Sequence, residues 1–145
     1  MDYGFLDSVV GAIGRLDIII DDGSHMNSHI IDTFKYLFPR LHDDGIYVAE
    51  DLQTSYWESY GGNSFCLDRF RSAVNYFKSL LDGLNHKEII NPKYVPSYLD
   101  KRIVSMSWYH NMVFLQKVQN DEESNVIKGN RHGGQAESLL GCYRR

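Results

Sequence analysis

The sequence has little cysteine, little proline, no surplus of positive charge and no long apolar run, and each shortage excludes something. The two cysteines in 145 residues, Cys66 and Cys142, stand far apart without CxxC spacing, so a disulfide-stapled scaffold is not expected. Reduced thiols in a cytoplasmic protein are the expected setting. The 15 Lys+Arg are outnumbered by 19 Asp+Glu, for a formal net charge of -4. Phosphate binding needs a basic face, and here the basic residues are scattered, so nucleic acid is not an expected partner. No segment approaches the roughly 20 apolar residues that span a bilayer, and Met1-Asp2-Tyr3-Gly4 has no basic leader region. No membrane partner is expected. Of the three prolines, Pro39 lies near the end of a helical stripe, and Pro92 and Pro96 fall in a connector over residues 85–101.

What is present is an ordinary globular composition, 43% hydrophobic and 23% charged, in a chain long enough for one core. Phe5, Leu6, Val9, Val10 and Ile13 follow helical spacing up to a stop at Gly14. Leu16 to Ile20 is a short apolar run rich in β-branched residues, which predicts a strand buried on both faces of a parallel sheet. Ile30, Ile31, Phe34, Leu37, Phe38 and Leu41 form a second helical stripe, with Asn27 or Ser28 as its expected cap. Gly45 to Ala49 reads as the next strand, completing a right-handed βαβ unit. Ser64 is the expected cap of a long helix carrying Leu67, Phe70, Val74, Phe77, Leu81 and Leu84. Ile103 to Trp108 and Met112 to Val118 predict a hairpin turning near His110-Asn111. One α/β domain is expected over residues 1–118. A polar, flexible tail is expected over 119–145, with Leu139-Leu140 docking weakly.

Both parallel strands run into acids: the first into Asp21-Asp22 before Gly23, the second into Glu50-Asp51. Ligands of open α/β sheets bind beyond the carboxyl ends of the strands. Neighbouring strands lie about 4.8 Å apart, so acids at both tips can converge. Carboxylates so gathered repel unless a proton or cation joins them. A hard ion such as Mg²⁺ suits oxygen ligands, and Asp22, Glu50 and Asp51 are its expected ligands. Successive strand residues point to opposite faces, so Glu50 and Asp51 can share an ion only where the backbone has left strand geometry. His25, in the turn after the first strand, is placed to take a proton from a substrate hydroxyl that the ion polarises. Acids at strand ends also commonly cap helices or face solvent; the two tips together, with a histidine and a glycine turn, favour a functional site. His25 and His29 have zinc spacing, but Met26 stands where the zinc-protease motif requires glutamate, which argues against zinc. An Asp22, His25 and His29 iron triad is argued against equally. Trp57 and Tyr60 either pack the loop over residues 50–63 or meet the apolar face of a sugar.

These residues carry a resemblance. Asp17-Ile18-Ile19-Ile20-Asp21-Asp22-Gly23-Ser24-His25, then Leu37-Phe38-Pro39, Gly45-Ile46-Tyr47-Val48 and Glu50-Asp51-Leu52-Gln53-Thr54-Ser55-Tyr56-Trp57, resembles the metal-dependent sugar O-methyltransferases of natural-product biosynthesis, the macrocin, mycinamicin and rhamnosyl-tetracenomycin group. The match spans roughly residues 5–118. It implies the C-terminal half of a Rossmann-like, class I methyltransferase sheet with a final antiparallel hairpin. It further implies S-adenosylmethionine and Mg²⁺ as cofactors and a glycoside as substrate. Asp22, Glu50 and Asp51 would hold Mg²⁺, His25 would be the general base, and Asp21 would lie close to the methyl donor. The family's glycine-rich cofactor turn after its first strand is missing, because Gly11 and Gly14 belong to a helix. A truncated enzyme is therefore expected, its sheet edge at Leu16–Ile20 open to a second copy or to a complementing N-terminal half. A non-catalytic remnant that binds a partner is the alternative, and a metal-dependent hydrolase a third reading.

Overall fold

The computed structural model describes residues 2–68 and 71–124, and the backbone alone of 127–128 and 131–132. Helix α1 (Tyr3–Ile13) starts where the Asp2 carboxylate accepts from Phe5 N at 3.0 Å and stops at Gly14, φ 79°. Strand β1 (Ile18–Asp21) follows, then α2 (Asn27–Leu37) and β2 (Ile46–Ala49). Helix α3 (Ala73–Lys78) precedes a hairpin of β3 (Ile103–Tyr109) and β4 (Met112–Lys117). The sheet order is β1-β2-β4-β3. Strands β1 and β2 are parallel, from Ile18 opposite Ile46 to Asp21 opposite Ala49. Strand β4 lies antiparallel to both β2 and β3. The α/β sheet with its closing hairpin is thus as the sequence predicts. A further two-residue ladder pairs Ile127–Lys128 with Arg131–His132.

The core lies on one face of this sheet. Ile19, Tyr47, Ala49, Val113 and Leu115 point into it and meet Ile30, Phe34 and Phe38 from the α2 side and Phe77 from α3. Phe34 is the centre: its ring sits 5.1 Å from Tyr47 and 5.2 Å from Phe77, edge to face in both cases. Burying each such ring contributes about 1.5–3 kcal/mol. Lys117 ends β4 almost wholly buried, and its ammonium donates to Pro39 O at 2.9 Å and Leu41 O at 2.5 Å.

Three expectations are corrected. Strand β1 is not buried on both faces: Ile18 is 64% and Ile20 61% exposed. The described helices cover one face only, so the alternate residues of this edge strand remain open. The long helix expected from Ser64 is short instead. Ser72 caps α3 by accepting from Asn75 N at 3.3 Å, Leu67 is half exposed, and a 3₁₀ stretch over Leu81–Glu88 carries Leu84. Neither Asn27 nor Ser28 caps α2, whose N-cap is Met26 with no side-chain bond. Phe70, Leu139, Leu140 and most of the expected tail lie outside the described residues. Asn120, within that tail, is buried, and its amide donates to Asp100 O at 2.9 Å.

Candidate metal and base site

The two acidic tips are neighbours because the ladder makes them so. Asp21 ends β1 opposite Ala49, and Glu50 N donates to Asp21 O at 3.0 Å. Beyond this rung two residues turn into left-handed backbone, His25 at φ 58° and Asp51 at φ 53°. Such conformations are uncommon for residues with a Cβ and persist where the surroundings enforce them. At Asp51 the enforcement is visible: its carbonyl accepts from Thr54 N at 3.2 Å and Thr54 Oγ1 at 3.0 Å, while Leu52 N donates to Asn111 O at 3.0 Å. The backbone has therefore left strand geometry, the condition for Asp51 to escape the alternation of the strand.

His25 Nε2 lies 3.5 Å from Asp51 Oδ2 and 4.0 Å from Asp22 Oδ1. One donor atom from each of Asp22, His25 and Asp51 falls within 4.8 Å of the other two. Two carboxylates and an imidazole at this spacing fit a divalent cation. The half-open side of the cluster, where the Asp22 side chain is 60% exposed, leaves room for the waters that Mg²⁺ retains. Glu50 is half-buried at the same tip and stands outside this convergent group. His29 does not join it either; its Nδ1 is 2.7 Å from Ser24 Oγ.

Asp21 has a different environment. Its carboxylate accepts from the Tyr47 hydroxyl at 2.9 Å beside the core. Burial pushes its pKa above the usual carboxylate range, with the Tyr47 hydrogen bond and the nearby His25 acting the other way. Burial first, and the Asp21 charge second, hold the Tyr47 phenol protonated. For a methyl donor the described residues offer Asp21 at a strand tip and no glycine-rich turn after a strand, so a cradle for that cofactor is not among them.

The loop after β2 is two 3₁₀ turns, Leu52–Tyr56 and Glu58–Tyr60. Trp57 is half exposed and its ring lies 5.9 Å from that of Tyr60. Tyr60 also borders a cleft of about 670 Å³ that runs from Met26 past Asn75 to Lys35 and Arg71. The cleft begins next to His25 in sequence, yet neither Trp57 nor the three clustered groups line it.

Two supporting residues escape a reading for chemistry. Asn27, 2% exposed, donates to Thr54 O and Tyr60 O, both at 3.0 Å, and accepts from Ser55 Oγ at 3.0 Å and Ala73 N at 2.6 Å. It ties the start of α2 to the aromatic loop and to α3. Its position three and seven residues before Ile30 and Phe34 puts a polar group on the buried stripe, and that was the available signal. Gln53 donates from Nε2 to Asp51 Oδ1 at 3.0 Å, and nothing in its sequence position distinguishes it from a loop glutamine.

No family model matches the chain. Among curated proteins it is 40% identical over 122 residues to mycinamicin VI 2''-O-methyltransferase of Micromonospora griseorubida, covering 83% of this chain and 31% of that enzyme. It is 39% identical over 122 residues to demethylmacrocin O-methyltransferase of Streptomyces fradiae, again covering 83% of the chain and 31% of the enzyme. A rhamnosyl tetracenomycin-C 2'-O-methyltransferase of Streptomyces olivaceus matches at 39% over 128 residues, 88% of the chain and 33% of the enzyme. Among solved structures, the MycE methyltransferase of mycinamycin biosynthesis, in complex with Mg and SAH, superposes with a TM-score of 0.76 at 40% identity, covering 83% of this chain and 32% of that one. The chain thus spans about a third of the length of the curated relatives it matches. By sequence and by fold, the chain is homologous over that third to the sugar O-methyltransferases of natural-product biosynthesis.

Proposed function

We propose that this chain carries the metal and base portion of an S-adenosylmethionine-dependent, Mg²⁺-assisted O-methyltransferase that acts on a sugar hydroxyl of a glycosylated natural product. The observation that carries the reading is the convergence of Asp22, His25 and Asp51 at the tips of two adjacent parallel strands. It gains support from relatives named for sugar O-methylation and from a similar structure that holds Mg, SAH and mycinamycin VI. Asp22 and Asp51 would hold the ion, and Glu50 is a further, half-buried carboxylate at the same tip. When bound, Mg²⁺ makes an acceptor hydroxyl more acidic, and S-adenosylmethionine supplies the methyl group that the oxygen takes as the carbon–sulfur bond breaks.

The chain's own residues then have separate tasks. His25 Nε2, facing the two carboxylates at 3.5 and 4.0 Å, accepts the hydroxyl proton. Asp51, whose Oδ2 lies beside the ring at 3.5 Å, keeps a carboxylate next to the base. Trp57 and Tyr60 would offer ring faces to the apolar side of a sugar, and Asp21 would lie close to the methyl donor. Positioning of this kind supplies much of the acceleration in such transfers.

A second reading has an observation of its own. The open edge and exposed Ile18 and Ile20 of β1 suit a partner: a second copy, or the portion that matches the rest of the relatives' length. Calorimetry of the chain with MgCl₂ and with S-adenosylmethionine separates the readings. Saturable Mg²⁺ binding that Asp22→Ala abolishes is the expected result. No Mg²⁺ binding by the native chain would sink the metal-site reading and leave the partner-binding one.

A further inference from the structure

Gln53 is held in a way that packing alone does not favour. Its Nε2 donates to Asp51 Oδ1 at 3.0 Å, while its Oε1 is buried without a hydrogen-bond partner among the described residues. Turning the amide over would not repair this. It would set an oxygen against the Asp51 carboxylate and leave the NH₂ group in the place where no acceptor stands. The orientation is therefore dictated by Asp51, and an unsatisfied buried carbonyl is the cost of maintaining it. Asp51 in turn is the clustered carboxylate with constrained backbone, φ 53°. Its other carboxylate oxygen, Oδ2, faces His25 Nε2 at 3.5 Å. Thr54 holds the Asp51 carbonyl, so backbone and carboxylate of the same residue are pinned by two different neighbours in one 3₁₀ turn.

We infer that Gln53 is a positioning residue for the metal and base site: by occupying Asp51 Oδ1 it reserves Oδ2 for the shared point with His25 and Asp22. The inference rests on the metal-site reading given above. Groups that orient a metal-ligating carboxylate commonly change metal affinity about 10–100-fold when removed. Gln53 touches neither His25 nor Asp22 in the described hydrogen bonds, so its action passes through Asp51.

The test replaces Gln53 with methionine, an unbranched side chain of similar length that has neither the donor nor the stranded acceptor. Mn²⁺, a paramagnetic stand-in for Mg²⁺, is titrated into native chain, Gln53→Met and Asp22→Ala, with free Mn²⁺ read by electron paramagnetic resonance. Melting temperatures are taken without metal. Native chain should bind, Asp22→Ala should lose binding, and Gln53→Met should bind at least tenfold more weakly while melting at the native temperature or above it. Native-like affinity in Gln53→Met, with Asp22→Ala still defective, overturns the role of Gln53 and leaves the metal site standing. Failure of the native chain to bind removes the metal-site reading itself. A fall in melting temperature with unchanged affinity marks Gln53 as structural and also overturns the inference. Should methionine not pack, Gln53→Ala reads the same affinity loss.

Discussion

Replacing Asn27 by alanine tests how the site is supported. The side chain is 2% exposed and makes four hydrogen bonds, to Thr54 O, Tyr60 O, Ser55 Oγ and Ala73 N. At about 1 kcal/mol net for each, the loss comes to about 4 kcal/mol, a large part of the roughly 5–15 kcal/mol that a domain possesses. For a chain of this size each kcal/mol moves the melting temperature by roughly 4 °C, so a fall of about 15 °C is expected by calorimetry or circular dichroism. Asn27→Asp provides the sharper comparison. It retains an oxygen for Ser55 and Ala73 but sets a second one against two carbonyls, so it should be no more stable than alanine at neutral pH. A loss under about 1 kcal/mol for alanine, or near-native stability for aspartate, would refute the assignment of Asn27 as the tie between α2, the aromatic loop and α3.

Other expectations follow from single contacts. On the proposed function, Asp22→Ala should remove the Mg²⁺ dependence of any methyl transfer measured, and His25→Ala should cut turnover while leaving cofactor affinity near native; a His25 variant with native rates would exclude it as the base. The Arg102 guanidinium holds the Asp43 carboxyl below the usual carboxylate range. The stability this gives is complete above the unfolded pKa and is lost as pH falls through the folded one. Asp43→Asn should therefore melt lower than native at pH 7, with the difference closing on acidification; a pH-independent gap would contradict the pairing. Alanine at Gly62 would place its Cβ 2.4 Å from Thr54 O and should destabilise by about 1–3 kcal/mol. At Gly11, where a Cβ meets nothing within 4 Å, alanine inside α1 should stabilise by about 0.5–1 kcal/mol. Melting curves for the two variants check both signs.

Local patterns made much of this legible in the sequence. The apolar run before Asp21, the stripe from Ile30 to Phe38 and the paired strands around His110-Asn111 are period and turn signals, and each marks an element that is present. The acids at the strand tips could be read because parallel neighbours bring their ends together. Less legible were features set by distant partners. Leu67, Val74, Phe77, Leu81 and Leu84 keep helical spacing, yet the Ser72 hydroxyl starts α3 late. A 3₁₀ stretch follows, with Asn85 non-helical within it. Asn27 looks like a cap by residue type, but its partners lie in segments 27 to 46 residues away. The left-handed turn at Asp51, which brings its carboxylate to His25, depends on Thr54 and Asn111 and has no glycine to announce it. The burial of Lys117 is likewise invisible along the chain, because its acceptors are the carbonyls of Pro39 and Leu41.

The rung from Glu50 N to Asp21 O has a consequence for heritable variation. It is made of peptide groups, which every residue but proline supplies. The spacing between the two acidic tips is thus indifferent to most substitutions in the strands that carry them. Core residues beneath can be exchanged over generations, provided volume is conserved, without changing the separation of the two strand ends. A lineage can therefore drift to 36–40% identity, the level that separates this chain from its relatives, while the distance between strand ends stays fixed by main-chain geometry.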